Sequence, residues 1–288
     1  MLDFRMYTFL ILCDTRNYTK AAKKLSITQP AVTQHIQFLE EQYGCKLFSY
    51  SGKTLSLTEK GKNLEKYGRI MWGNEQKIEE RMRCQEKGKR LLHIGATKTI
   101  GEFVIVPMVS AYLEKESRNI TLTVDNTKTL LKALDQGKLD FILIEGSFDK
   151  SKYGFSTYKE EKFQGFCNAG HPFAGKTVSF EELSGERLIL REKGSGTRAV
   201  LEQTLLEHNY TLESFQNITE INNFTAIKEL VMKGRGVSFM YEAALKKEME
   251  EKKIATFHFG KKKILREFNF VYLKGNLFLE DYHDFFRT

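Results

Sequence analysis

Asn17-Tyr18-Thr19-Lys20-Ala21-Ala22-Lys23-Lys24-Leu25-Ser26-Ile27-Thr28-Gln29-Pro30-Ala31-Val32-Thr33-Gln34-His35-Ile36-Gln37-Phe38-Leu39 carries the reading of the first third of the chain. Thr19 is a candidate N-cap for a short helix through Leu25, and the small Ala21-Ala22 pair lets another helix cross closely. Ser26-Ile27 reads as a tight turn, with Ile27 placed to plug the core. Thr28 caps a third helix with Pro30 in its first turn, where a missing N–H costs no helical bond. On that helix Val32, Ile36 and Leu39 point one way, and Gln29, Thr33, Gln34 and Gln37 largely the other. Amides and hydroxyls pair with base edges, and Gln suits adenine. An ordinary solvated helix face is the competing explanation.

Working outward, Leu2, Met6, Phe9, Leu10 and Cys13 recur at helical spacing and give an amphipathic first helix ending near Asp14–Asn17. Beyond Gly44, Leu47-Phe48, a Ser51-Gly52 turn, and Leu55 and Leu57 alternating with Thr54 and Ser56 read as a short hairpin with Lys53 near its tip. Three helices followed by such a wing put the third helix in the major groove and the wing on the neighbouring backbone. Thr58 can cap a long helix to about Lys87, along which Leu64, Met71 and Ile78 repeat every seven residues. That repeat suits a partner helix or, alternatively, the chain's own body.

Charge divides unevenly along the chain. Residues 1–90 hold 17 Lys and Arg against 10 Asp and Glu, while the remaining 198 hold 28 against 27. A basic module on a neutral body suits phosphate binding by the first third. With 41% hydrophobic and 28% charged residues, and no apolar run near the roughly 20 residues that span a bilayer, no membrane partner is expected. Met1-Leu2-Asp3-Phe4-Arg5 lacks a signal-peptide pattern, so the cytoplasm is the expected compartment. Cys13, Cys45, Cys84 and Cys167 include no CxxC pair, which argues against a zinc site or disulfide framework. Cys13 reads as core; Cys84 or Cys167 is left as an open redox candidate.

From Leu91 strands and helices alternate: Leu92–Ala96 strand, Phe103–Lys115 helix, Ile120–Asn126 strand, Lys128–Gln136 helix and Phe141–Ile144 buried strand. Such βαβ units place ligands beyond the carboxyl ends of the strands. Thr97-Lys98-Thr99-Ile100-Gly101 falls there. A second series from Lys162 repeats the device, with Leu188–Arg191 as strand and Gly194-Ser195-Gly196-Thr197 feeding a helix near Arg198. Both turns suit an anion. The second, taken alone, is equally a capped tight turn. Together they favour a cleft site formed by Thr97, Lys98, Thr99, Ser195 and Thr197, with Glu145 orienting the ligand.

These motifs resemble the LysR-type transcriptional regulators. The likeness runs through Asn17–Ala22, Leu25, Thr28–Thr33, Ile36, Leu39-Glu40, Gly44, Leu47-Phe48, Gly52-Lys53 and Leu57–Gly61, and then through Gly95–Thr97, Thr99–Gly101, Pro107, Leu139-Asp140, Glu145-Gly146, Gly170–Pro172, Leu190–Glu192, Gly194–Arg198 and Gly234–Val237. The resemblance implies that Gln29, Pro30, Thr33 and Gln34 lie at the DNA with Lys53 on the wing; Tyr18, Thr19, Thr28 and Gln37 complete the candidate set. Tyr50 departs from the family's usual Arg on the wing. The resemblance also implies an α/β fold class: an N-terminal winged helix-turn-helix, a dimerising linker helix (Leu64, Met71, Ile78), and a two-lobed α/β effector domain resembling periplasmic binding proteins. Its crossovers are expected near Lys159–Gln164 and Glu267–Val271, returning a last helix, Leu277–Phe286, to the first lobe.

The expected boundaries are 1–58, 59–90 and 91–288, with lobe I about 91–161 and 268–288 and lobe II about 162–267. The expected partners are double-stranded DNA, a small and partly anionic effector, and further copies as homodimer and homotetramer. No cofactor or metal is expected. An enzyme on the same scaffold is the main rival, but no G-x-S-x-G or H-E-x-x-H is present and His171 beside Pro172 reads as structural. A small-molecule-binding protein with a helical arm and no DNA role is the other.

Overall fold

The computed structural model describes residues 2–52, 54–83, 90–115, 117–260 and 263–287. Helix α1 (Phe4–Thr15) ends where Arg16 turns left-handed, its N–H returning to the Leu12 carbonyl. That turn places Asn17, rather than Thr19, at the cap of α2 (Tyr18–Leu25): the Asn17 side chain accepts from Lys20 N–H at 2.9 Å, and Thr19 is an exposed helical residue. Ile27 does not plug the core and is 37% exposed. Its N–H bonds the Ala22 carbonyl at 3.1 Å beyond a left-handed Ser26, so the backbone closes the turn without a side-chain anchor. Thr28 caps α3 (Gln29–Tyr43), which stops at Gly44 with φ +62°. Phe9, Leu10, Ala21, Val32, Ile36 and Leu39 form the core of this unit.

The wing is β1 (Phe48–Ser51) paired antiparallel with β2 (Thr54–Leu57), Phe48 opposite Leu57 and Ser51 opposite Thr54. Thr58 accepts from Gly61 N–H at 2.9 Å and starts α4 (Glu59–Arg83). Gly61 is required there, because a Cβ would sit 2.1 Å from the Leu47 carbonyl oxygen. The end of the 59–90 segment, Gln85–Arg90, reads in the sequence as a polar, Gly-containing hinge; residues 85–89 lie outside the described residues and Arg90 opens the next strand.

The body begins with β3 (Arg90–Ala96), α5 (Lys98–Phe103), α6 (Val106–Leu113), β4 (Arg118–Val124), α7 (Thr127–Asp135) and β5 (Phe141–Ile144). The helix expected over 103–115 is the shorter α6, and most of the stretch expected to be a turn, 97–101, is helical as the start of α5. Pro107 supplies no N–H to continue the ladder from α5, and its place in the first turn of α6 needs none, so the chain breaks at Val104-Ile105 and restarts. Strand β6 (Tyr153–Asn168) crosses from lobe I to lobe II, which holds β7 (Thr177–Val178), α8 (Phe180–Ser184), β8 (Arg187–Leu190), α9 (Gly196–Glu207), β9 (Asn217–Glu220), α10 (Phe224–Met232), β10 (Ser238–Tyr241), α11 (Glu242–Glu250) and β11 (Ile254–Phe259). The chain closes with β12 (Ile264–Leu273) and α12 (Leu279–Phe286).

Strands β4, β3 and β5 are parallel, and β12 then β6 continue the sheet antiparallel. β6 and β12 pair from Tyr153–Leu273 to Phe163–Ile264, with a bulge between Phe268 and Asn269, so this long ribbon serves both lobes. β10 and β11 pair with the lobe II end of β6, and β8 with β9 forms a separate parallel pair. Helix α12 returns to lobe I, where Phe285 meets Tyr112 and Phe141.

Helix α4 docks on lobe I. Lys77 Nζ lies 3.0 Å from Asp140 and donates to the Leu91 carbonyl at 2.8 Å; Tyr282 and the His93 N–H complete the Asp140 shell. Gly73 and Gly137 meet so closely that a Cβ on Gly137, itself at φ +66°, would lie 2.8 Å from the Gly73 Cα.

Candidate functional site: a polar helix face and an inter-lobe cleft

Because Val32, Ile36 and Leu39 are buried, α3 turns its remaining positions outward. Thr28, Gln29, Pro30, Gln34 and Gln37 are exposed and Thr33 is half-buried, its hydroxyl donating to the Gln29 carbonyl at 3.2 Å. Thr19 with Lys20, Lys23 and Lys24 lies exposed on α2. Tyr18 is half-buried, and burial pushes its phenol up to about 12. Tyr50 stands 67% exposed on the wing, whereas Lys53 lies outside the described residues.

Of the linker positions, Met71 (54%) and Ile78 (46%) are exposed, as are Tyr67 and Met82. Leu64 is not part of that stripe. It is half-buried against the winged-helix core of its own chain, because α4 leaves the wing across α1 and its first turns serve as a fourth wall.

The cleft lies where α5 and β5 of lobe I face the β8–α9 turn of lobe II. A cavity of about 290 Å³ is lined there by Thr97, Lys98, Thr99, Glu145, Ser195 and Thr197, the six expected residues, together with others including Arg191 and Glu192. Thr97 turns its hydroxyl away from capping α5 and donates it to Glu145. Lys98 spans the lobes to Glu192 at 3.1 Å. Ser195 is the N-cap of α9 without a side-chain cap bond.

Two buried polar groups lining this cleft lack partners. The Thr99 hydroxyl, on a residue 1% exposed, is close enough to Glu145 to favour its charged form, yet has hydrogen-bond geometry to nothing. Arg191, 3% exposed, gives Nε (2.8 Å) and one Nη (3.0 Å) to Glu192 and stacks 4.0 Å over Phe224, but its Nη1 is unpartnered. Burial works against the Glu192 carboxylate, and hydrogen bonds from Arg191 and Lys98 nonetheless hold it down at about 2. Glu145 is the opposite case: burial pushes it up to about 7, with Arg191's charge pulling the other way. The sequence reading did not place Arg191 and Glu192 in the cleft they line, although a charged pair just before a Gly-rich turn was the available signal.

A larger cavity of about 410 Å³ sits where α4 meets lobe I. Its polar lining groups Lys77, Asp140 and Gln136 are already hydrogen-bonded, so it leaves less for a ligand to satisfy. His171 accepts from Phe173 N–H at 3.2 Å and lies 3.4 Å from Glu186, a structural role. Cys167 is buried with its thiol pushed up to about 11, and Cys13 is buried and raised further still, so neither is a poised redox thiol; Cys84 lies outside the described residues. Among the described residues no cluster has the makings of a metal site.

Family comparison agrees with this geometry. The model of the bacterial regulatory helix-turn-helix protein, lysR family, matches residues 5–62, and that of the LysR substrate binding domain matches 85–287. This chain belongs to the LysR family. This LysR-type regulator is 29% identical over 269 residues to the HTH-type transcriptional regulator CysL of Bacillus subtilis, covering 92% of this chain and 89% of that one. The fold matches full-length LysG from Corynebacterium glutamicum with bound effector Arg (TM-score 0.66, 14% identity, 99% and 96% of the chains). It also matches the Synechocystis CcmR regulatory domain in complex with 2-PG (TM-score 0.60, 19% identity, 68% and 95%). The LysR-type regulator is thus a DNA-binding, effector-responsive transcription factor and not an enzyme. Among the described residues no helix is long and apolar enough to cross a membrane.

Proposed function

We propose that this regulator works in the cytoplasm with the division of labour 1–58, 59–90 and 91–288. Gln29, Gln34 and Gln37 read bases, flanked by Tyr18, Thr19, Thr28, Pro30 and Thr33, with Lys53 on a phosphate. A small metabolite bearing an oxyanion enters the inter-lobe cleft and is held by Thr97, Lys98, Thr99, Ser195, Thr197 and Arg191. The observation that carries the effector reading is the pair of buried, unpartnered donors, Arg191 Nη1 and the Thr99 hydroxyl, lining one cavity. Each costs about 1–3 kcal/mol while unsatisfied, and more for the charged group, so a ligand that meets both recovers it. The bound Arg and 2-PG of the two fold relatives support a small-molecule occupant.

A ligand that touches both lobes favours one inter-lobe geometry and biases the protein only by that difference in affinity. The test is a thermal-shift screen of carboxylates, phosphates and sulfur oxyanions on the full chain, beside operator titrations. A hit should vanish in Arg191→Met, and Gln29→Ala or Gln34→Ala should cost ~1–3 kcal/mol on operator but not on random DNA. Hits undiminished in Arg191→Met put the pocket elsewhere, and equal losses on both DNAs reject base reading by α3.

A further inference from the structure

Glu145 is the anomalous charge of the cleft. It follows β5 in lobe I, is 8% exposed, and accepts from Thr97. Its other oxygen faces the first turn of α9 in lobe II, 3.7 Å from where a Cβ on Gly196 would stand. Of the cations lining the cleft, Lys98 and Arg191 each pair with Glu192. The groups around Glu145 come from every side: Lys98 on α5, Asp125 after β4, Arg191, Glu192 and Lys193 after β8, and the Tyr241 phenol of β10, which burial holds protonated. Lys98, Arg191 and Lys193 balance Asp125, Glu192 and an ionised Glu145. The cavity is neutral before any ligand arrives.

An oxyanion at Arg191 Nη1 and the α9 N-terminus therefore adds an uncompensated charge beside a buried carboxylate. Two anionic oxygens sharing such a site do not both stay ionised, and the carboxylate is the one that takes a proton. We propose that this cleft is a proton-coupled oxyanion site, in which a fully ionised oxyanion enters with one proton that Glu145 takes up. The proposal rests on the effector-cleft reading above. Balance is simple: one proton leaves the solvent or buffer, forms the Glu145 O–H bond, and is donated in a hydrogen bond to the bound anion. For a singly charged oxyanion this restores neutrality of the cavity; a dianion such as sulfate leaves one negative charge, which holds the proton on Glu145 more firmly still.

The sign follows from Glu145 standing at about 7 in the free protein and higher beside a bound anion. Affinity is greatest below about pH 7 and falls by up to about tenfold per pH unit above it. Sulfate is the probe, because it stays fully ionised throughout. Calorimetric titration of the full chain at about pH 6 and about pH 8.5, in buffers of differing ionisation enthalpy, reads affinity and proton uptake together. The expected result is binding tenfold or more weaker at the higher pH, with close to one proton taken up per sulfate near pH 8. Glu145→Gln should bind sulfate equally at both pH values with no proton uptake. Wild-type affinity independent of pH with no proton uptake overturns the coupling; if Arg191→Met still abolishes binding, the cleft reading survives. Glu145→Gln retaining the wild-type pH dependence also overturns it. Sulfate that fails to bind at either pH, or binds Arg191→Met undiminished, overturns both.

Discussion

The folded Glu145 carboxyl, at about 7, holds its proton over a range in which the unfolded chain has released it from an ordinary value of 4.5. The folded state then binds more protons than the unfolded between about pH 4.5 and 7, so this residue makes stability fall as pH rises through that window. The loss is on the order of 2–3 kcal/mol. Urea unfolding of the ligand-free protein at about pH 5 and about pH 8 should reveal that decline, and Glu145→Gln should largely remove it; an equal decline in the variant would assign it to another group. Glu192, held at about 2, acts below this window and with the opposite sign. Thr97, Thr99, Glu145, Ser195 and Thr197 were legible because each follows a strand end in the βα rhythm. Arg191 was not, because its meaning depends on which guanidinium nitrogen is left over, and sequence spacing carries no information on that.

Helix α4 carries two duties on one heptad pattern. Leu64 closes the winged helix of its own chain, whereas Met71 and Ile78, with Tyr67 and Met82, leave an apolar stripe in solvent. Sedimentation of Met71→Glu/Ile78→Glu should give monomers whose body remains folded, since neither side chain supports it. Leu64→Ala should instead keep the oligomer and lower winged-helix stability by about 1–3 kcal/mol. A double variant that still sediments as a dimer would reject the stripe as the interface. The periodicity that exposed this helix in the sequence could not separate these duties, because a seven-residue repeat states only that a face is apolar. Caps were ambiguous for a related reason: Asn17 and Thr19 both suit an N-cap, and the left-handed Arg16 selects the first.

At the scale of the whole molecule, packing of α4 on its own body was one of two readings its repeat allowed, but the contact itself was not legible, since Gly73, Lys77, Gly137 and Asp140 belong to no common motif. Gly137→Ala places a methyl against the Gly73 backbone at a left-handed φ and should lift the helix from the lobe. Small-angle scattering should record a larger radius of gyration, with the isolated lobes unchanged in circular dichroism; an unaltered radius would show the contact to be dispensable.

The named ties of α4 to the body, Lys77 to Asp140, Asn74 to the Gly275 carbonyl and Arg81 to Asp281, all land on lobe I. Lobe I is thus the chassis and lobe II an outrigger hung on the β6–β12 ribbon. When a ligand draws the outrigger inward, these ties give it no lever on the reading head of its own chain. Among the described contacts its swing has no named hold on α4, so a neighbouring copy resting on lobe II would be the route by which such a movement reached the DNA.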